Sequence, residues 1–320
     1  MKVNTAFFIS INLITAALEV IKASPDNSNC TFTNDVIICN SITSWAEDMK
    51  TIFKGITDNS FKVLKLLALN LSSFDISPFG GLPVSSLEIE NCKLDQLTDG
   101  GQSGIKSNLR ELKIESSINA AEVGFRLELD SLLHLKKLNL TSNVIPYLNR
   151  TWFQNALISL QYLFLERNGI EMLEERVFES FNELRSISLQ ENAIKHLKRD
   201  MLPNPGFNLK TLAFGKNKLS SLPSELFSGM SSLTSVDFRS NRIKNLQESV
   251  WMPIWTQLRT LVISKNPIIC DSYTEWMFRM APPHHLIGSC YSLEKGRNIS
   301  LKNLIDEKRN CSIVSCTVQL

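Results

Sequence analysis

The chain has little of what catalysis and metal binding need. Only four histidines occur among 320 residues, His134, His196, His284 and His285, and none forms a His-x-x-x-His pair. No Cys-x-x-Cys occurs either, so the common zinc-ligand spacings are missing. There is no Gly-x-Ser-x-Gly elbow and no glycine-rich loop leading into Lys-Ser or Lys-Thr. The carboxylates are scattered rather than paired. We therefore expect no enzyme activity, no cofactor and no metal. An excess of charge is lacking too. Thirty-four Lys and Arg against 32 Asp and Glu leave a net +2, too little to make nucleic acid or an acidic membrane the default partner. Beyond the first 23 residues no apolar run approaches a membrane span, and the C-terminal SIVSCTVQL is no lipid-anchor tail.

Residues 1–23 read as a secretory leader. Lys2 is the basic start, Ala6 to Leu18 the apolar run, and Ile21-Lys22-Ala23 a small-residue cleavage site. We expect a soluble, secreted, extracellular protein with an N-terminal cap over 24–60, repeats over 61–268 and a C-terminal cap over 269–320.

What the sequence does have is one line repeated six times: LKKLNLTSNVI, LQYLFLERNGI, LRSISLQENAI, LKTLAFGKNKL, LTSVDFRSNRI and LRTLVISKNPI. The first residues are Leu135, Leu160, Leu184, Leu209, Leu233 and Leu258, at steps of 24 or 25. The pattern Leu-x-x-Leu-x-Leu-x-x-Asn-x-Leu predicts an α/β solenoid, a horseshoe with a concave parallel β-sheet of about nine repeats. In Leu138-Asn139-Leu140 the leucines point inward and the Asn outward, as a period of two requires. The recurring Asn143, Asn168, Asn192, Asn217, Asn241 and Asn266 can both donate and accept, and so can pair turning backbone that is otherwise buried unsatisfied. Leu148, Leu173, Leu197, Leu222 and Leu246 close the turn. Phe178 and Phe181, Phe227 and Met230, and Met252 and Trp255 precede the next repeat by six and three residues, and are expected to fill the core from the convex side.

Looser repeats precede these, starting at Leu64, Val84 and Leu109, with Ser72, Cys92 and Ser117 in place of the Asn. Cys92 is read as a buried ladder residue rather than a reactive thiol. Cys30 and Cys39 bracket a turn at Asn34-Asp35, and a disulfide there would close a hairpin over the edge of the first coil. Ser44 to Glu47 fits a capping box, followed by Met49, Ile52, Phe53 and Ile56 at helical spacing.

The repeat length, the Asn ladder, the Phe-bearing convex side and the cysteines at each end resemble the typical class of extracellular leucine-rich repeat proteins, which includes Toll-like receptor ectodomains and slit-type proteins. Cys270, Trp276 and Cys290 resemble that class's C-terminal cap. Such a cap normally begins Cys-x-Cys and carries two crossed disulfides, but here Ser272 replaces the second cysteine. The resemblance implies a Cys270–Cys290 bridge and leaves Cys311 to pair with Cys316; other pairings stay open. The compact Cys30-x8-Cys39 cap followed by AEDMKTIF further resembles arthropod secreted proteins similar to the non-catalytic leucine-rich subunit of Oplophorus-type luciferase. That likeness implies a companion role beside another polypeptide.

Function then lies in a surface. Counting from each repeat start, the third, fifth and seventh residues face outward; for the first repeat this gives Leu66, Ala68 and Asn70. Tyr162 and Phe164 are large aromatics at positions that cannot reach the core, the kind of residue enriched in binding hot spots. A lane of small residues lies beside them: Ser186, Ser188, Thr211, Ala213 and Gly215. We expect another extracellular protein to dock from Tyr162 to Arg239, using also Glu166, Arg167 and Asp237. Two other readings are an accessory subunit of a luciferase-like monooxygenase and a soluble immune factor for microbial glycan or lipid. Sequons stand at Asn29, Asn70, Asn139, Asn149, Asn298 and Asn310; Asn70 and Asn139 are placed on the concave face, with Asn139 beside Phe164.

Overall fold

The computed structural model describes residues 30–33, 35–40, 61–71, 74–75, 84–98, 108–121, 125–129, 132–153 and 157–313. The expected leader, the helix between Ser44 and Gly55, Asn29 and Cys316 lie outside them, as do the side chains of Asn310 and Cys311; the expected Cys311–Cys316 bridge is therefore outside the described residues.

Twelve strands make one sheet. They are β1 (Cys30–Phe32), β2 (Val36–Asn40), β3 (Val63–Leu67), β4 (Ser86–Glu90), β5 (Glu111–Glu115), β6 (Lys137–Asn139), β7 (Tyr162–Phe164), β8 (Ser186–Ser188), β9 (Thr211–Ala213), β10 (Ser235–Asp237), β11 (Thr260–Val262) and β12 (His285–Ile287). β1 runs antiparallel to β2, and every later neighbour is parallel. β3 to β11 are the nine expected repeats, while β2 and β12 belong to the caps and extend the sheet by one strand at each end. The Cys30–Cys39 disulfide ties β1 to β2, and Cys270–Cys290 ties the last coil to the C-terminal cap. That cap adds an antiparallel pair, β13 (Ser289–Ser292) with β14 (Arg297–Ser300), and a helix over Leu301–Ile313. Leu301, Leu304 and Ile305 of this helix are buried, so it covers an end that water would otherwise reach.

Alternation sets the core. Leu138, Leu163, Ile187, Leu212, Val236 and Leu261 are the middle residues of β6 to β11, and all are at most 1% exposed. They merge with the buried residues of neighbouring coils into one continuous cluster. Each such side chain stabilises by roughly 1.5–3 kcal/mol when fully buried, and no single coil can bury its own.

The chain must then leave the strand sharply. In all nine repeats the residue that does so has a left-handed backbone: Ala68, Asn91, Ser116, Ser142, Arg167, Glu191, Lys216, Ser240 and Lys265 have φ of 49–60°. None is glycine, so each turn costs on the order of 1–2 kcal/mol. The residue that follows it holds the turn in place. The Asn168 and Ile170 N–H groups both donate to Asn192 Oδ1 at 3.0 Å, and Asn192 Nδ2 donates to the Leu165 and Leu189 carbonyls at 2.8 and 3.0 Å. Asn143, Asn217, Asn241 and Asn266 repeat this arrangement. Cys92 and Ser117 keep it in reduced form. The Leu69 N–H donates to Cys92 Sγ at 3.4 Å, and the Cys92 N–H to Ser117 Oγ at 3.0 Å. Burial raises the Cys92 thiol pKa, in keeping with a structural rather than a reactive cysteine.

Two expectations are corrected. The first repeat starts at Phe61, not Leu64, because β3 pairs with β4 as Val63↔Ser86 and Leu64↔Leu87. Its ladder position is therefore Leu69 rather than Ser72. Its outward residues are Val63, Lys65 and Leu67, while Leu66 is fully buried. On the convex side Met252 is 43% exposed, and Trp251 takes the inward place at 1%. Here the segment is a helix, α1 (Glu248–Trp255), and its period of about 3.6 brings Trp251 and Trp255 to one face. Trp251 packs 5.3 Å from Phe227 and 6.2 Å from Phe238. Phe178, Phe181, Phe227 and Met230 fill the core as expected. We expect Trp251→Ala to lower unfolding stability by ~3–5 kcal/mol, and Met252→Ala to change it by less than ~1 kcal/mol, in denaturant titrations analysed for both midpoint and slope.

Candidate functional site: the concave face

The outward columns of the sheet divide into two halves of different chemistry. On the N-terminal half, charges pair across strands. Lys65 meets Glu88 at 2.6 Å, Lys137 meets Glu111 at 3.2 Å, and Lys113 lies 2.6 Å from Glu90 and 2.8 Å from Glu115. Burial pulls the Lys113 ammonium pKa down, but hydrogen bonds to Glu115 and Glu90 outweigh it, and the net shift is upward. This surface is already occupied with its own ion pairs.

The C-terminal half begins with the aromatics. Tyr162 is 38% exposed and Phe164 half-buried, both facing away from the core. Register sets Tyr162 against Ser186 and Phe164 against Ser188, then Ser188 against Ala213 and Ala213 against Asp237. Ser188 and Ala213 are only 5% and 6% exposed. The lane of small residues is thus a sunken floor, because the side chains on either side stand above it. At its edge a β-carbon on Gly215 would lie 3.0 Å from Gln190 Oε1, 3.1 Å from Arg239 Cγ and 3.2 Å from Asp237 Oδ1. Arg239 Nε donates to Asp237 Oδ2 at 2.7 Å, which fixes the far wall. Three strand steps separate Phe164 from Asp237, so the trough is ~14 Å wide, enough for a strand or one helix of ~10–12 Å.

One expected contact residue, Arg167, stands off this face, while Glu166 shares the column of Gly215 and Arg239. Glu166 is half-buried and accepts from Thr141 Oγ1 at 3.0 Å. Arg167 belongs to the left-handed turn at the sheet's rim and donates to Ser142 Oγ at 3.1 Å. Two residues were missed. β12 continues the face beyond the repeats, with His285 beside Thr260 and Ile287, 53% exposed, beside Val262. The alternation His285-Leu286-Ile287 was the available signal.

The sequons separate as well. Asn139 lies on the face between Lys113 and Phe164, its Oδ1 accepting from the Thr141 N–H at 2.9 Å. Asn70, expected there, is corrected to the flank, where it is exposed and pairs with Lys93 in a separate two-stranded ladder. Asn149 is half-buried and Asn298 exposed in β14, both off the concave sheet. Among the described residues no group of three or more His, Cys, Asp or Glu could hold a metal, and no helix is long and apolar enough to cross a membrane.

A family profile described as Leucine rich repeat matches residues 133–194 and 207–268. No curated protein sequence matches the chain. Among solved structures the chain is similar to the human 5T4 protein (Wnt-activated inhibitory factor 1, trophoblast glycoprotein), with 18% identity and a TM-score of 0.54 over 87% of this chain and 97% of that one. It is also similar to TLR13 in a TLR13–ssRNA13 complex, with 20% identity and a TM-score of 0.50 over 72% of this chain. The match spans 38% of the TLR13 chain. At these identities the likeness shows the fold alone. Together the matches support a leucine-rich repeat assignment; they do not confirm the narrower resemblance to the luciferase subunit.

Replacing Lys113 leaves Glu90 and Glu115 without their shared partner. A lysine whose folded pKa is raised contributes stability below its unfolded value of ~10.4 and loses it as pH climbs through the folded value. The stability difference between wild type and Lys113→Met should therefore stay level from about pH 6 to pH 9 and shrink only above ~10.4, read from urea midpoints across that range.

Proposed function

Starting from a leucine-rich repeat solenoid, we propose that the chain is a secreted, non-catalytic protein-binding module, a companion or scaffold to another extracellular protein. The partner docks in the trough between Tyr162–Phe164 and Asp237–Arg239. The observation that carries this reading is the pair of outward aromatics beside a floor of Ser188, Ala213 and Gly215. Aromatic anchors next to a recess that admits a backbone make a hot spot, whereas the paired charges of the N-terminal half must be desolvated before anything binds there. A helix or strand of the partner would bury Phe164 and exclude water from the Asp237–Arg239 pair. A glycan on Asn139 would shade the N-terminal border and leave the trough open. Oxygenase activity in the partner would connect it to the luciferase-subunit resemblance, and retention only in the presence of microbes would favour the immune reading.

The test compares wild type with Tyr162→Ala/Phe164→Ala and with Gly215→Arg, each first shown to be folded, in capture of stoichiometric partners from native extracellular fluid followed by mass spectrometry. The expected result is one polypeptide retained by wild type and lost, by ~100-fold or more in affinity, from both variants. Equal capture by all three would place the site elsewhere.

A further inference from the structure

The second residue of each repeat stands at the N-terminal edge of the concave sheet, just before its strand. Six of these nine positions are basic: Lys62, Arg110, Lys136, Arg185, Lys210 and Arg259. The other three carry Ser, Gln or Thr, and none is acidic. The row is in register. The Lys136 N–H donates to the Arg110 carbonyl, the Lys210 N–H to the Arg185 carbonyl and the Arg259 N–H to the Thr234 carbonyl, each at 2.8 Å. Eight strand steps carry the row across ~38 Å, about one cation per 6–8 Å.

Lys62, Lys136, Arg185, Lys210 and Arg259 are exposed and join none of the ion pairs among the described residues. Two acids stand near them, Glu183 two residues before Arg185 and Asp35, whose carbonyl accepts from the Lys62 N–H at 2.8 Å; neither forms an ion pair among the described residues. Past the other end of the strands Lys195, Lys198 and Lys216 are matched across coils by Glu171, Glu175 and Glu191, while Arg242, Lys244 and Lys265 join no ion pair among the described residues. What distinguishes this edge is an in-register file of cations with no acid among its nine positions, although the whole chain is nearly balanced.

We propose that this edge binds a linear sulfated polysaccharide, laid along the row and across the repeats. A single file of like charges, one or two strand steps apart, matches an extended polyanion, whose bound counterions are released on contact. The row contains no aromatic side chain on which bases would stack, which disfavours single-stranded nucleic acid. The exposed apolar residues nearest it, Leu133, Ile158 and Phe207, are interrupted by Asn182 and Glu183, which disfavours an anionic membrane. The two disulfides fit an oxidising, extracellular compartment, where sulfated polysaccharide is the abundant polyanion. This row borders the trough, with Arg185 and Lys210 just before Ser186 and Thr211, but the proposal does not depend on a partner in the trough.

The experiment measures full-chain binding to heparin as salt is varied. Wild type should bind at ~0.15 M salt, and the combined Lys136→Gln, Arg185→Gln and Lys210→Gln variant should bind ~10–100-fold more weakly, with the slope of log affinity against log salt reduced by roughly three. Lys195→Gln, Lys198→Gln and Lys216→Gln together remove the same charge from ion-paired positions past the other end of the strands and should change affinity by no more than about twofold. Tyr162→Ala/Phe164→Ala should leave heparin binding intact, so failure of the trough and failure of the row are told apart. Unchanged denaturation midpoints confirm that each variant is folded. Equal loss in the two charge variants would overturn the proposal. So would no wild-type binding at ~0.15 M salt, or tighter binding to oligothymidylate or to phosphatidylserine-containing vesicles than to heparin.

Discussion

A side-chain amide that pairs with the backbone of its own coil and of the coil before it is the interaction on which this molecule depends. Each repeat places an ordinary L-residue in the left-handed region, nine times over, and no glycine eases the cost. That conformation persists because Asn143, Asn168, Asn192, Asn217, Asn241 and Asn266 sit behind it, buried or nearly so, with bonds into two coils. The ladder thins towards the N-terminus, through Ser117 and the thiol of Cys92 to Leu69, which has no polar side chain at all. There the terminal hairpin and its disulfide help to hold the first coil.

Once the turn is fixed, the strand before it is fixed, and with it which side chains face outward. The sheet therefore presents its residues in straight columns, and function follows from what each column holds. Self-paired charge covers the N-terminal half, a recess beside two aromatics follows, and a cationic file runs along one edge. The file borders the trough, since Arg185 and Lys210 immediately precede Ser186 and Thr211.

Much of this was legible from residue types alone. The six strong repeats fixed the register of β6 to β11 and placed Tyr162 and Phe164 outside, because Leu, Ile and Val must alternate with the rest when one face of a strand is buried. The first repeat was misread because Leu64, Leu66, Leu67, Leu69 and Leu71 fit two frames, and no ladder Asn was there to choose between them. Met252 was placed inside because it stands six residues before the next repeat, as Phe178 and Phe227 do, but the chain is helical there and turns Trp251 inward. The depth of the trough was not readable: Ser188 and Ala213 are small in any frame, and only the packed neighbours show that they lie below the surrounding surface. The edge row escaped notice because its spacing of about 25 residues hides it within an almost neutral composition.

The central claim is that the amide ladder holds the left-handed turns and so the whole face. Amide hydrogen exchange in Asn192→Ala tests it most directly. The account expects the Asn168 and Ile170 amides, which donate to Asn192 Oδ1, to lose protection ~10-fold or more, together with a global loss of ~2–4 kcal/mol. Unchanged protection at both amides, with stability within ~0.5 kcal/mol of wild type, would contradict it.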